Sequence, residues 1–401
     1  MLGKRAFAVL AISAASLTSI GLAQPAFAAA GGLDPTFGNG GKVLTAVGGI
    51  VDNATLQSNG DIVVGGTFGI LRYLPNGSLD NSFGSNGLAA DAAGAAGLAG
   101  LSNGEFLAAG TSGNDFALAR FTASGALDPA FGHGGMVTTP FPNAADGAGA
   151  DAVLVQPNGD ILVGGDALVP GTTRNQPVVT LGALARYSPN GTLDPSFGNG
   201  GIVQSTASVG NIANLGLDAA GDIFVLPAHA EFSPAGQLDS SVTSAAITAS
   251  STGGDDAFLS SGQSLIAGTV GFHHGATDVK VSRFNANGSV DATFNNPQFT
   301  YTGAQIDGHQ FPAAIAVQAN GQIVVAGASF AGTSVFGVAR LNANGSLDSG
   351  FGNGGVLTTN FQGNDTARAV VFQPNGDIVV IGFSEDNTTG VVDIALVRYL
   401  G

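Results

Sequence analysis

The sequence contains no cysteine and no tryptophan, and only 10% of its residues are charged, against roughly 25% in an ordinary soluble domain. This low charge content excludes coiled coils and charge-laced helical arrays. Basic residues are scarce, with 12 Lys and Arg against 28 Asp and Glu, and the net charge of −16 argues against binding to nucleic acid or to anionic membrane surfaces. Apolar residues reach 44%, so disorder is not expected. Without disulfides, the core and the topology must hold the fold together.

Residues 1–28 have the layout of a secretory signal peptide. Lys4 and Arg5 precede an apolar stretch, and Ala26-Phe27-Ala28 supplies the small residues of a cleavage site. The alternative is a transmembrane anchor, which the Ser and Thr residues within the stretch disfavour. We therefore predict a signal over residues 1–28 and a mature chain from residue 29 that is secreted to the extracellular space or periplasm. No membrane insertion is expected after cleavage.

A motif of Leu-Asp-x-x-Phe-Gly recurs with a loose period of about fifty residues, which indicates a solenoid, a propeller or an array. In six units an Arg, or in one case Glu231, lies eight residues before the motif Asp. Arg398 stands near the end of the chain and regains this spacing only if the two chain ends are joined. The repeated residues are Arg72, Arg120, Arg186, Arg283, Arg340 and Arg398, with Asp34, Asp80, Asp128, Asp194, Asp239, Asp291 and Asp348.

Each unit contains the pattern of four strands. An alternating run ends at a turn such as Asn158-Gly159, and Asn-Gly is a strong hairpin signal because both turn residues need positive φ. A β-branched run follows, then the Arg strand, then a strand after Phe-Gly-x-Gly-Gly. We predict an all-β fold over residues 29–401: a single seven-bladed β-propeller of four-stranded antiparallel blades. The N-terminal strand should join the C-terminal blade and close the ring, and a monomer is expected.

The combined pattern Asn-Gly-Ser-Leu-Asp-x-x-Phe-Gly-x-x-Gly, preceded by Gln-Pro-Asn-Gly-Asp-Ile-Val-Val, resembles the delta-60 repeat family. The resemblance covers residues 31–401 and implies a propeller-like bacterial protein of the cell envelope or extracellular space, with no particular activity. One unit departs from the pattern, because Glu231 replaces Arg and Val242 stands where Phe is expected.

The repeated Arg and Asp residues are interpreted as structural. Asp before Pro is placed to cap a single helical turn, the Phe three residues later anchors that turn, and Arg can pair with Asp or with turn carbonyls. The alternative is a ring of ligand contacts.

The connections between second and third strands, and between one unit and the next, vary in length. In a propeller both classes emerge at the same end, where binding loops usually lie. The loops of the fourth to sixth units also contain a cluster of potential metal ligands, which could instead serve as an acid–base pair or be solvated loop residues. These candidates are His229, His273, His274, His309, Asp255, Asp256, Asp278 and Asp307.

No catalytic motif is present, and we assign no catalytic residue. The sequence predicts a secreted, non-catalytic binding or scaffold protein that uses the variable loops to bind an extracellular protein, a glycan or a small ligand. The rival prediction is a metal-dependent extracellular hydrolase or lyase. The pattern requires no cofactor. If the His and Asp cluster binds a metal, we expect calcium or another divalent metal.

Overall fold

The computed structural model describes residues 29–401 except 90–92, 145, 171–177, 206–208, 241–251, 260, 274–275, 296, 301–308 and 331. Within the described ranges, 28 β-strands form seven antiparallel four-stranded sheets, and there is no helix. In that part of the chain, accordingly, there is no long apolar helix of the kind that crosses a membrane.

The strands follow in chain order: β1 (Lys42–Thr45), β2 (Val51–Leu56), β3 (Ile62–Gly66), β4 (Gly69–Tyr73), β5 (Leu88–Ala89), β6 (Gly97–Gly100), β7 (Phe106–Ser112), β8 (Asp115–Phe121), β9 (Met136–Thr139), β10 (Ala148–Val155), β11 (Ile161–Val169), β12 (Val179–Tyr187), β13 (Ile202–Gln204), β14 (Asn214–Leu217), β15 (Ile223–Leu226), β16 (Ala230–Phe232), β17 (Leu238–Asp239), β18 (Thr252–Phe258), β19 (Ser264–His273), β20 (Ala276–Phe284), β21 (Gln298–Phe299), β22 (His309–Val317), β23 (Ile323–Phe330), β24 (Ser334–Leu341), β25 (Val356–Thr359), β26 (Asn364–Phe372), β27 (Ile378–Glu385) and β28 (Val392–Tyr399).

Each sheet is one blade of a propeller. Blades 1 to 6 consist of β2–β5, β6–β9, β10–β13, β14–β17, β18–β21 and β22–β25, and blade 7 consists of β26–β28 with β1 as its fourth strand. The first strand of each blade lies innermost. Each inner strand contacts the inner strand of the next blade, and β26 of blade 7 contacts β2 of blade 1. The seven-bladed propeller predicted from the repeat is therefore confirmed.

The ring closes in blade 7, where strands from the two ends of the described chain pair. Lys42 lies opposite Val397 and Thr45 opposite Ile394 in the β1–β28 ladder. The backbone amide of Gly31 also donates to the carbonyl of Leu400 at 2.9 Å. This is the predicted closure of the C-terminal blade by the N-terminal strand.

The hydrophobic core lies between neighbouring blades. The middle strands are buried on both faces, as in β3, where all five residues are buried. Six apolar clusters each fill one interface between neighbouring blades. These interfaces join blades 1 and 2, 2 and 3, 3 and 4, 5 and 6, 6 and 7, and 7 and 1. Among the described residues the interface between blades 4 and 5 has no such cluster. There, Phe224 packs on Phe258, and His229 packs edge-on against Phe284 at 4.8 Å between ring centroids.

The two ends of the propeller differ in their loops. Every connection from first to second strand has five residues, and its fourth residue is a Gly with φ between +79° and +93°, a conformation that other residues rarely adopt. The connections from second to third strand range from two to nine residues, and those between blades from four to twelve. We call these two ends the uniform end and the variable end.

Candidate functional site

The uniform end is held by a repeated ion pair. In blade 1, Arg72 Nη2 lies 2.5 Å from Asp80 Oδ2, and the guanidinium packs over the Phe83 ring at 4.7 Å. The other oxygen of Asp80 accepts the amide and hydroxyl of Ser82, at 2.9 and 2.6 Å. This is a capped turn rather than the helical turn that the sequence predicts.

The same arrangement recurs in six blades. The N–O distances between Arg and Asp are 2.5–2.8 Å, and the guanidinium carbon lies 4.5–4.9 Å from the Phe centroid. Five of these arginines also donate to a carbonyl of the next blade: those of Ala123, Pro189, Pro234, Ala343 and Pro75. The repeated polar residues thus connect neighbouring blades.

These partners stabilise the charged form of the carboxylates. The hydroxyl and amide of Thr293, with the Arg283 guanidinium, lower the pKa of Asp291 to about 2. The pKa values of Asp34, Asp80, Asp128 and Asp194 are lowered as well, and each of these carboxylates is bonded to an Arg and to a turn amide.

Blade 4 breaks the pattern. Glu231 lies directly opposite Asp239 in the β16–β17 ladder, so two acidic residues stand where other blades pair Arg with Asp. Burial raises the pKa of Glu231, and the charges of Asp222, Asp239 and Asp218 raise it further.

A channel of about 650 Å³ runs along the propeller axis and is lined by the inner strands of all seven blades. Five of these strands contain a β-bulge, and the five bulges lie at a similar level. A bulge inserts one extra residue into a strand and changes the direction of the side chain at that position. The residues at the bulges are Asp52, Asp151, Gly253, Ala313 and Arg368. We call this level the bulge ring.

Three charged residues of the bulge ring line the channel. Asp52 and Arg368 are exposed, and Asp151 is half-buried. Arg368 lies over the Phe383 ring at 5.7 Å and is the one arginine in the described ranges without an ion pair to a carboxylate. Its guanidinium is therefore available to a ligand.

Blade 3 forms an acidic region on the opposite side of the ring from blade 7. Burial raises the pKa of Asp151, although the side chain of Asn211 donates to its carboxylate. Burial and the charge of Asp151 also raise the pKa of Asp166 on β11. Two carboxylates that disfavour each other's charge favour the approach of a cation.

Asp255 and Asp256 line the channel from blade 5. Asp255 Oδ2 accepts the amide of Ile315 in blade 6 at 3.0 Å, while Asn214 of blade 4 donates to the backbone carbonyl of Asp256 at 2.8 Å. Burial raises the pKa of Asp255 to about 6, and burial together with the charge of Asp255 raises that of Asp256 to about 7. Oδ1 of Asp256 is buried and has no hydrogen-bond partner among the residues that the structure describes.

The predicted His and Asp cluster is only partly described. His273 ends β19 and His309 begins β22, whereas His274 and Asp307 lie outside the described residues. Asp278 lies on β20 and does not line the channel. Within the part of the chain that can be described, no group of three or more His, Asp or Glu residues is arranged to hold a metal.

His229 lies between blades 4 and 5 and does not line the channel. It is only 6% exposed, and its Nδ1 lies 3.4 Å from Ser264 Oγ. Burial lowers its pKa to about 4, so the ring is neutral near pH 7.

Sequence reasoning missed Asp52, Asp151 and Arg368. A signal for them exists, because each stands eight residues before the Gly of its five-residue turn: Gly60, Gly159 and Gly376. The bulge that turns this position toward the channel is not visible in the sequence pattern.

Comparison with protein families agrees with this architecture. A family model described as "Domain of unknown function (DUF5122) beta-propeller" matches residues 57–83, 101–131, 156–197, 259–294 and 318–351. The chain is a β-propeller repeat protein. The five matched segments cover parts of blades 1, 2, 3, 5 and 6, and blades 4 and 7 are not among them.

Solved structures similar to this β-propeller repeat protein are distant. A protein from Lactobacillus plantarum is 14% identical with a TM-score of 0.43, over 90% of this chain and 96% of that one. A gluconolactonase from Xanthomonas campestris is 13% identical with a TM-score of 0.37, over 88% of each chain. A putative gluconolactonase is 14% identical with a TM-score of 0.41, over 93% and 99%. No curated protein matches.

Proposed function

We propose that this protein is a secreted, non-catalytic binding protein that takes a small polar ligand into the central channel at the bulge ring. The observation that carries the proposal is the chemistry of that ring. Asp52, Asp151 and Arg368 bring both signs of charge into a cavity of about 650 Å³, which lies within the usual size range of small-molecule sites, roughly 300–1,000 Å³.

The rest of the repeat supports a binding role. The six repeated arginines are engaged by carboxylates and Phe rings, and five of them also by a carbonyl of the next blade, so they serve the scaffold. Rigid blades with a few charged groups that face a cavity form a preorganised site, in which little ordering is needed on binding. Secretion after cleavage of residues 1–28, a monomeric state and membership of the delta-60 repeat family are parts of the same proposal.

The test compares ligand-induced thermal stabilisation in two variants of the mature protein. The first is the channel triple variant Asp52→Asn, Asp151→Asn and Arg368→Gln. The control is Asp115→Asn, Asp146→Asn and Lys42→Gln, which makes the same charge changes outside the channel. The probes are amino acids, sugars, nucleosides and divalent metal salts.

A probe that binds the channel raises the unfolding temperature of the wild type and of the control but not that of the channel variant. Equal stabilisation of all three proteins would place the ligand elsewhere and overturn the proposal. Stabilisation of none of them at millimolar probe concentrations would also count against it.

The second candidate function is a metal-dependent extracellular enzyme over blades 4 to 6. The raised pKa values of Asp255 and Asp256 in a channel favour it, because perturbed carboxylates cluster at active sites. Chemical turnover of a bound probe, lost on metal removal and on replacing His273, His274 and His309 together by Ala, would support the enzyme over the binding protein.

A further inference from the structure

Arg368 defines one side of the channel site. Its guanidinium is exposed, has no ion pair among the described residues, and lies over the Phe383 ring at 5.7 Å. A planar guanidinium offers two parallel donors that match a carboxylate. The group that best satisfies this side of the ring is therefore a carboxylate of the ligand.

The remaining channel charges exclude a simple anion. Asp52, Asp151, Asp255 and Asp256 line the same cavity as Arg368, and the whole chain carries a net charge of −16. A ligand that brought only negative charge would be repelled by these groups. A ligand that also carries an ammonium group would meet the carboxylate of Asp151, which lines the channel from blade 3.

The variable end also exposes apolar side chains, and apart from Val178 of blade 3 these lie on blades 6, 7 and 1, on the side of the ring that carries Arg368. Phe311, Phe330, Val391 and Ile50 are 49%, 39%, 52% and 41% exposed. Exposed apolar groups beside polar ones are typical of ligand grooves. They suit an apolar substituent on the ligand.

We propose that the ligand is a zwitterion: an amino acid or short peptide with free ends and an apolar side chain. Its carboxylate pairs with Arg368, and its ammonium group faces Asp151. This inference rests on the proposed function and names its ligand class.

The experiment is a chemical double-mutant cycle measured by calorimetry on the mature protein. The probes are phenylalanine, phenylalanine amide, which lacks the carboxylate, and N-acetylphenylalanine, which lacks the ammonium group. The proteins are wild type, Arg368→Gln, Asp151→Asn and the control Lys42→Gln. Lys42 is the matched control because it is a cation over a Phe ring, 5.5 Å from the Phe361 centroid, as Arg368 is. Lys42 lies on β1, the outer strand of the blade that contains Arg368.

The carboxylate arm compares phenylalanine with its amide. Arg368→Gln should reduce the preference for the free carboxylate by about 10-fold, the size of one lost charge-assisted hydrogen bond. Asp151→Asn should reduce the preference for the free ammonium group over the acetylated form to a similar extent. Lys42→Gln should change neither ratio.

If the two channel variants weaken the binding of all three probes equally, so that neither ratio changes, the zwitterion is wrong while binding in the channel stands. If sugars or nucleosides bind the channel and phenylalanine does not, the ligand class is again wrong. If no probe of any class binds, both the ligand class and the proposed function fail.

Discussion

Arg72 at the uniform end and Arg368 in the channel carry the same guanidinium group in opposite surroundings. Arg72 is 8% exposed, pairs with Asp80, stacks on Phe83 and donates to blade 2. Arg368 also lies over a Phe ring, but it is exposed and has no ion pair within the described ranges. The repeated arginine is held by groups of the scaffold, whereas the non-repeated arginine at a bulge is the one that we propose for the ligand.

The largest expected effect comes from breaking the scaffold where the chain ends meet. Deleting residues 29–47 removes β1 from blade 7 and takes Asp34 away from Arg398. An open blade edge and a buried Arg398 that has lost its closer carboxylate should abolish the cooperative thermal transition in calorimetry.

A circular permutant is the control for that deletion. It joins residue 401 to residue 30 through a short linker and opens the chain at Asn320-Gly321 in the β22–β23 turn. It should unfold cooperatively. A deletion protein that melts within a few degrees of the wild type would contradict the closure.

The second prediction compares the two arginines directly. Arg72→Met should lower the free energy of unfolding by about 3 kcal/mol, because it leaves Asp80 buried without its cation. Arg368→Met should change it by less than about 0.5 kcal/mol, as for a surface substitution. Chemical denaturation of both variants measures the difference, and equal losses would erase the distinction between scaffold and site.

The third prediction concerns pH and the channel wall. Burial raises the pKa of Asp256 above its unfolded value, so the folded protein holds a proton that the unfolded chain releases between about pH 4 and pH 7. This contribution to stability is present at low pH and is lost as pH rises through that range. Asp256→Asn should flatten the decline and raise the stability at pH 8 by about 2 kcal/mol.

Urea denaturation from pH 4 to pH 8 measures this profile. The control is Asp146→Asn, since Asp146 is exposed on the β9–β10 connection. An Asp256→Asn profile parallel to that of the wild type would show that Asp256 is charged throughout.

The smallest effect is expected from repairing blade 4. Glu231→Arg places a guanidinium opposite Asp239 and should raise the stability by up to about 1 kcal/mol at neutral pH. Glu231→Gln removes only the repulsion and should gain less. Because the pKa of Glu231 is raised, the advantage of both variants should shrink as pH falls and Glu231 becomes protonated. A gain that is independent of pH would argue against a charge effect.

The fold could be predicted from the sequence because turns, strand runs and the Arg–Asp spacing repeat in step. Even the closure by β1 followed from the interrupted spacing at Arg398. The channel charges could not be predicted, because the one-residue bulge at Asp52 interrupts the strict alternation of strand faces and is not visible in the sequence pattern. His229 shows the reverse difficulty: its sequence context suggests a loop ligand, but tertiary packing buries it against Phe284.

The most direct test of the distinction between scaffold and site is a crystal structure of the mature protein with phenylalanine, or the tightest probe found, bound. We predict electron density for the ligand inside the channel at the bulge ring, with its carboxylate on Arg368 and its ammonium group toward Asp151. Density at the uniform end or on the outer strands, with the channel occupied only by solvent, would contradict it.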